Sequence, residues 1–261
     1  LKNYAAAEVY GTRCRVVGVR PGPEGAVVVA HHECELDDAS VAGLREFRRA
    51  NDLVKQLRIA LWPLSDEAGV TPISAKPGDP LPPPSTLGIR ERVTPLVRAG
   101  FRVAGVSLPH QVLAELALQY GARLAVTAAF HPDGGCVTVA HHGHSSLRPT
   151  YLRWDASWCS STAGSGDALA RYQFAAAFAP HLRELIATVP GGQVQILACG
   201  SMPNLRTAMA PFSEEFGREV QVLDHPWPGM LDAEAGTVPA EPAVWQLARA
   251  AAQSAAQANS K

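Results

Sequence analysis

Residues 193–223, QVQILACGSMPNLRTAMAPFSEEFGREVQVL, parse as strand, tight turn, helix and strand. Val194 to Ala198 is a short apolar run between Gly191-Gly192 and Cys199-Gly200, the pattern of a strand buried on both faces. Gly200 ends it. Pro203 suits the first turn of a helix, Leu205, Met209 and Phe212 follow at helical spacing, and Gly217 stands where a left-handed cap belongs. Val220 to Leu223 then reads as a second buried strand. A turn of this kind carries backbone N–H groups at a helix start to the carboxyl end of a strand, where open α/β sheets bind phosphate or nucleoside groups. Taken alone, the stretch is most simply an ordinary βαβ unit without a ligand. It lacks G-x-G-x-x-G, which argues against a dinucleotide site.

Upstream, Ala5 to Val9, Arg13 to Val19 and Ala26 to Leu36 read as an antiparallel meander, turned at Tyr10-Gly11-Thr12 and at residues 21–25. Asp38 to Asn51 is a helix capped by Asp38 or Ser40, with Val41, Leu44 and Phe47 on one face. Leu57 to Trp62 is a strand. Residues 63–86 hold too many prolines for a helix or a central strand and read as a surface loop. A helix over Thr86 to Ala99, a strand over Phe101 to Leu108 and a helix from Pro109 to Tyr120 follow.

From Arg123 the order begins again. Leu124 to Phe130, Cys136 to His142 and Leu147 to Trp154 form a second meander. A long helix over Asp167 to Val189 packs through Leu169, Tyr172, Ala176, Leu182 and Leu185, and the 193–223 unit comes next. An Ala-rich helix, Pro242 to Gln257, closes the chain. Each half reads βββαβαβα, so residues 1–121 and 122–261 are predicted as two halves of one duplicated α/β architecture.

Composition narrows the function. With 261 residues, 47% hydrophobic residues and a formal net charge of −1, the chain has no basic stripe for broad phosphate neutralisation, so a nucleic-acid partner is not expected. No apolar run is long enough to span a bilayer, and the first residues lack a leader pattern, which predicts a cytoplasmic protein without direct membrane insertion. Five scattered cysteines without C-x-x-C predict reduced core residues rather than a disulfide framework or zinc ribbon. His31, His32 and Cys34, and His141, His142 and His144, read as hydrated strand ends because neighbouring strand residues face opposite ways. No metal site is expected. Gly164-Ser165-Gly166-Asp167 at a helix start is either an anion site or a plain capped helix. Trp154 and Trp158 beside it read as core or as part of a peptide groove. No G-x-S-x-G, G-x-x-x-x-G-K-[ST] or H-E-x-x-H motif is present.

Three passages carry a resemblance. Residues 196–205, ILACGSMPNL, are similar to the adenosine-side motif of the actin, sugar kinase and Hsp70 superfamily. Residues 97–106, VRAGFRVAGV, resemble its helix, Ala-Gly-Leu, strand passage. Residues 7–17, AEVYGTRCRVV, resemble its first phosphate turn. Within the superfamily the chain looks most like the type IV pilus assembly PilM family and the related FtsA and GspL cytoplasmic domains. The resemblance implies two actin-like (ribonuclease H-like) halves with an interdomain cleft, a trimmed insertion subdomain at residues 63–86, and ATP with magnesium as cofactor. It places nucleotide at Glu8, Gly11, Thr12, Arg13, Gly164, Ser165, Gly200, Ser201 and Asn204. It further implies a partner, the cytoplasmic segment of a bitopic PilN-like membrane protein.

The departures from that pattern point to a scaffold. Glu8 stands where the family has Asp, and Tyr10 where it has Gly, crowding the approach of backbone to phosphate. In the second phosphate turn Thr127 and Ala129 replace Asp and Gly, so a carboxylate for magnesium is missing. Cys199 replaces a glycine of the adenosine motif. The expectation is a pilus or secretion platform component with degenerate phosphate turns that is not an efficient ATPase. The alternative is an active ATPase or small-molecule kinase in which Glu8 serves for Asp, and a third is an unrelated α/β protein sharing only the element order.

Overall fold

A computed structural model of the chain describes residues 2–22, 25–63, 70–72, 86–145, 149–153, 168–189, 194–224 and 242–258. The chain divides into two compact units, Leu1–Leu64, Pro83–Val112 and Pro226–Lys261 in one and Ser65–Pro82 and Leu113–His225 in the other.

In the first unit β1 (Asn3–Tyr10), β2 (Arg13–Gly22) and β3 (Gly25–Glu35) form the meander, followed by α1 (Ser40–Ala50), β4 (Leu53–Leu61), α2 (Thr86–Arg98) and β6 (Arg102–Ser107). The sheet order is β3-β2-β1-β4-β6, with β4 parallel to β1 and β6 parallel to β4. Parallel neighbours need a crossover, and α1 and α2 supply it. Ala5, Ala7 and Val9 on alternate positions of β1 pack with Leu44, Leu57, Ile59, Leu96 and Phe101 into one core. The intervening Ala6 and Glu8 face the other way and are equally buried. There α6 (Pro242–Ala258) lies on β1, β2, β3 and β4. Its Ala248, Ala250, Ala251 and Ala252 are buried, since small side chains let a helix approach a sheet closely. This last helix, grouped by sequence order with residues 122–261, therefore belongs to the first unit.

The second unit repeats the order. Strands β7 (Leu124–His131), β8 (Gly134–His141) and β10 (Thr150–Arg153) form the meander, β9 (His144–Ser145) pairs with β8, and β11 (Gln195–Gly200) and β12 (Val220–Val222) are parallel additions. The sheet runs β12-β11-β7-β8-β10, so third, second, first, fourth and fifth strands stand in the same sequence as in the first unit, with one further strand beyond β10. The added β5 (Val70–Pro72) pairs parallel with β10. It corrects the reading of residues 63–86 as loop throughout: three of them extend the second sheet. The unit's helices are α4 (Ala168–Ala187) and α5 (Leu205–Phe216), while α3 (Pro109–Gln119) has its first turn, to Val112, in the first unit and the rest in the second.

Several local readings are corrected. The carboxylate that accepts the Ser40 N–H at the start of α1 is that of Asp37, at 2.8 Å, while Asp38 pairs with Arg98 instead. β4 starts at Leu53 rather than Leu57, because exposed Lys55 and Gln56 hide its first half in the sequence pattern. β8 ends at His141, since His142 and Gly143 both have positive φ and form the hairpin turn to β9. On α4, Tyr172 is 50% exposed and Ala176 is exposed, whereas Phe174 and Phe178 are buried. Those two rings join Phe130 of β7 and Phe212 of α5 at centroid distances of 5.0–6.1 Å. An offset of two residues turns the helix by half a revolution, and the aromatic pair decides which face is buried.

Burial also sets an acid sensitivity. His110 near the start of α3 is pushed down to about 4 by desolvation, and desolvation lowers His31, His32 and His181 in the same direction. These rings fold neutral, while the unfolded chain binds protons on them from about pH 6.5 downward. Unfolding is therefore favoured by protons, and their share of stability is complete above pH 6.5 and is lost as pH falls toward 4. The urea midpoint is expected to drop between pH 7 and pH 5, with a shallower drop in His110→Gln.

Candidate functional site

The first turn joins β1 to β2 through Gly11 and Thr12. Gly11 has φ +57 with open space around it, so the conformation and not the room calls for glycine. Counting back from the closing pair Tyr10 and Arg13 puts Glu8 opposite Arg15. Both side chains are buried, 1% and 3% exposed, which forces a carboxylate and a guanidinium to satisfy each other. Arg15 Nη1 donates to Glu8 Oε2 at 3.4 Å, and Trp62 Nε1 donates to Glu8 Oε1 at 2.8 Å. On its far side Arg15 Nη2 lies 3.2 Å from Glu33 Oε1. Trp62 is itself held, since its N–H donates to Val9 O at 3.0 Å and its carbonyl accepts from Arg92 Nη1 at 2.6 Å. The Tyr10 ring meets the Trp62 ring edge-on at 5.2 Å.

The turn's other polar groups are engaged by one residue of β3. Thr12 Oγ1 donates to Glu35 Oε2 at 2.5 Å, and Arg13 Nε lies 3.7 Å from Glu35 Oε1. Glu8, Gly11, Thr12 and Arg13 are thus brought together in a network bearing three carboxylates, in which Glu8 is buried while Thr12, Arg13 and Glu35 are exposed. A phosphate would meet Glu35 across the turn, and the carboxylate that magnesium-bound water needs is already spent on Trp62 and Arg15. The first turn does not fit a magnesium-phosphate group.

In the second unit the equivalent hairpin closes with His131 opposite Gly134. The same count places Ala129, not Thr127, at the position of Glu8. Thr127 is buried two residues deeper, with its hydroxyl directed to Thr138 O at 3.4 Å. β7 holds no Asp or Glu, so neither alignment restores a carboxylate. Beside this hairpin lies the turn after β11. Gly200 has φ +115, and a Cβ there would fall 2.1 Å from Phe130 O. That close approach lets Met202 N–H donate to Phe130 O at 3.0 Å and sets Ser201 Oγ 2.6 Å from His131 Nδ1. The helix begins at Leu205 rather than Pro203, and Asn204 stands at its cap in the left-handed conformation, φ 51, with no side-chain capping hydrogen bond to the helix. Gly200, Ser201 and Asn204 form one turn, with Ser201 pinned to the hairpin and Asn204 exposed.

Gly164 and Ser165, with Asp167, Trp154 and Trp158, lie outside the described residues. Arg15, Trp62, Glu35 and His131 were not among the expected site residues. Arg15 was recoverable from the two-residue turn, but the other three reach the turns through pairings distant in sequence. Among the described residues no group of three His, Cys, Asp or Glu side chains could hold a metal ion. His32 stacks on Phe47 and His31 packs on Trp245. An open groove of about 900 Å³ in the second unit, lined in part by Arg123, Gln195, Arg206 and Arg218, includes none of the expected site residues. No helix among the described residues is long and apolar enough to cross a membrane.

No protein-family model matches the chain, and no curated protein matches it in sequence. Solved structures do match it. The ethanolamine utilization protein EutJ from Carboxydothermus hydrogenoformans is similar at a TM-score of 0.60 and 12% identity, over 97% of this chain and 90% of that one. The PilM-PilN type IV pilus biogenesis complex matches at 0.59 and 12% identity, over 97% and 98%. The activator of the 2-hydroxyisocaproyl-CoA dehydratase from Clostridium difficile, a structure with bound ADPNP, matches at 0.56 and 10% identity, over 99% and 96%. These likenesses span nearly whole chains and agree with the duplicated sheet order, so the chain has the actin-like fold.

Proposed function

We propose that this chain is an actin-fold binding scaffold of a type IV pilus or related secretion platform. It works in the cytoplasm at the inner face of the membrane, holding the cytoplasmic segment of a bitopic, PilN-like membrane protein. The observation that carries the scaffold reading is the state of Glu8. A catalytic carboxylate must be free to hold metal-bound water, and this one is buried between Trp62 and Arg15. The pilus assignment is supported by the whole-length similarity to PilM in its complex with PilN.

The second reading, an active ATPase or small-molecule kinase, is favoured by the ADPNP named with one relative. It has Glu8 serving in place of Asp and Gly11, Thr12, Gly200 and Ser201 contacting nucleotide, and requires Glu8 and Glu35 to let go of their present partners. Phosphate release from magnesium ATP separates the two. The scaffold reading predicts a rate no higher than that of Glu8→Gln, whereas a magnesium-dependent rate abolished by Glu8→Gln establishes the enzyme. The partner is tested with a synthetic peptide of the cytoplasmic segment of a bitopic protein encoded beside this chain's gene. The peptide is expected to co-elute with the protein, and a gene neighbourhood without pilus or secretion components removes the pilus reading.

A further inference from the structure

Cys14 and Cys34 stand directly opposite each other in the β2–β3 ladder. Opposed residues of an antiparallel pair have Cα atoms about 4.5–5.5 Å apart. That lies inside the range of about 4.4–6.8 Å that a disulfide spans. No other described cysteine has such a partner, since Cys136 stands opposite Ala129 and Tyr151, and Cys199 opposite Ala129. The pair is also unequal. Cys14 is wholly buried in the α1 core, while Cys34 is half-buried at the edge of that core.

We propose that Cys14 and Cys34 form a reversible redox site, closed to an intrachain disulfide by exchange with a low-molecular-weight disulfide of the glutathione class. The Cys34 thiolate attacks one sulfur of the small disulfide, forming a mixed disulfide and releasing one thiolate, which takes a proton. Cys14 then attacks the Cys34 sulfur, the Cys14–Cys34 bond forms, and the second small thiol leaves with the proton from Cys14. Two protein thiols are oxidised and one small disulfide is reduced to two thiols.

The order of attack follows from the surroundings. The hydrogen bond from Cys14 holds the Cys34 thiol below its ordinary range, and one from Ser40 adds to it, against burial and the charges of Asp37 and Glu35. The same bond with Cys34, together with burial, pushes Cys14 well up. Cys34 is therefore the more readily ionised thiol and the one that meets solvent, and Cys14 the resolving thiol behind it. Arg13 and Glu35 are the next residues on the two strands, so the cross-link fastens β2 to β3 beside the clamp over the first turn.

The test treats the folded, full-length chain with oxidised glutathione, alkylates the remaining thiols and maps proteolytic peptides by mass. The expected product is a peptide pair linked through Cys14 and Cys34 and released by dithiothreitol. Cys14→Ser is expected to stop at one glutathione on Cys34, and Cys34→Ser to leave Cys14 reduced. A wild-type chain whose two thiols both stay alkylatable, or whose Cys34 stays as a lasting glutathione adduct, overturns the proposal. The wild-type result decides alone, whatever the folding of the variants.

Discussion

Replacing Glu8 with alanine is expected to cost about 3–5 kcal/mol of stability in denaturant unfolding, the usual penalty for breaking a buried ion pair from one side. Arg15 would keep Glu33, which is 39% exposed, but lose the carboxylate that faces it inside the sheet, and the Trp62 indole would lose its acceptor. A buried cation with one solvated partner is the costly element, not the lost attraction. Glu8→Gln keeps an acceptor for Trp62 and is expected to lose less. In a double-mutant cycle with Arg15→Met, the coupling should be large and the double variant more stable than Glu8→Ala alone. If Glu8→Ala unfolds at the wild-type denaturant concentration, Glu8 is not locked, and the scaffold reading loses its main support.

The second large effect is expected at Gly200. A Cβ there would lie 2.1 Å from Phe130 O and 2.6 Å from Phe130 N, both backbone atoms that cannot move without parting β11 from β7. The backbone, at φ +115, is also one that other residues rarely adopt. Strain and overpacking together put Gly200→Ala at about 3 kcal/mol or more. Gly217→Ala makes the comparison, since its φ of +57 is left-handed but nothing lies within 4 Å. Conformation alone costs about 1–2 kcal/mol there. Equal losses at the two sites would mean that β11 and the β7 hairpin are not packed as closely as described.

Much of the fold was readable because the two periodicities are plain in this chain. Buried strands such as Leu124–His131 are continuous apolar runs, and Gly or Pro marks the element ends at Gly100, Pro109, Gly121 and Gly217. The errors lie where local pattern and tertiary packing disagree. On α4 the expected Leu182 and Leu185 are buried, but Tyr172 and Ala176 are not, because they obey the helical repeat as well as Phe174 and Phe178 do and only the ring cluster around Phe130 chooses between them. The home of α6 was hidden because an Ala-rich helix carries little information about which sheet it covers. At the candidate site, Glu8, Gly11 and Gly200 stood out as residue types in a turn. What they do did not, since it depends on Trp62 reaching Glu8 across 54 positions and on Phe130 standing beside Gly200.

The central claim is that the phosphate turns have become structure. It is tested most directly by thermal melts of the wild-type chain with and without saturating magnesium ATP or its non-hydrolysable analogue, because a ligand bound only by the folded state raises the midpoint. With Glu8 buried and held by Trp62 and Arg15, no rise is expected. A midpoint that climbs with nucleotide concentration and needs magnesium would contradict the account.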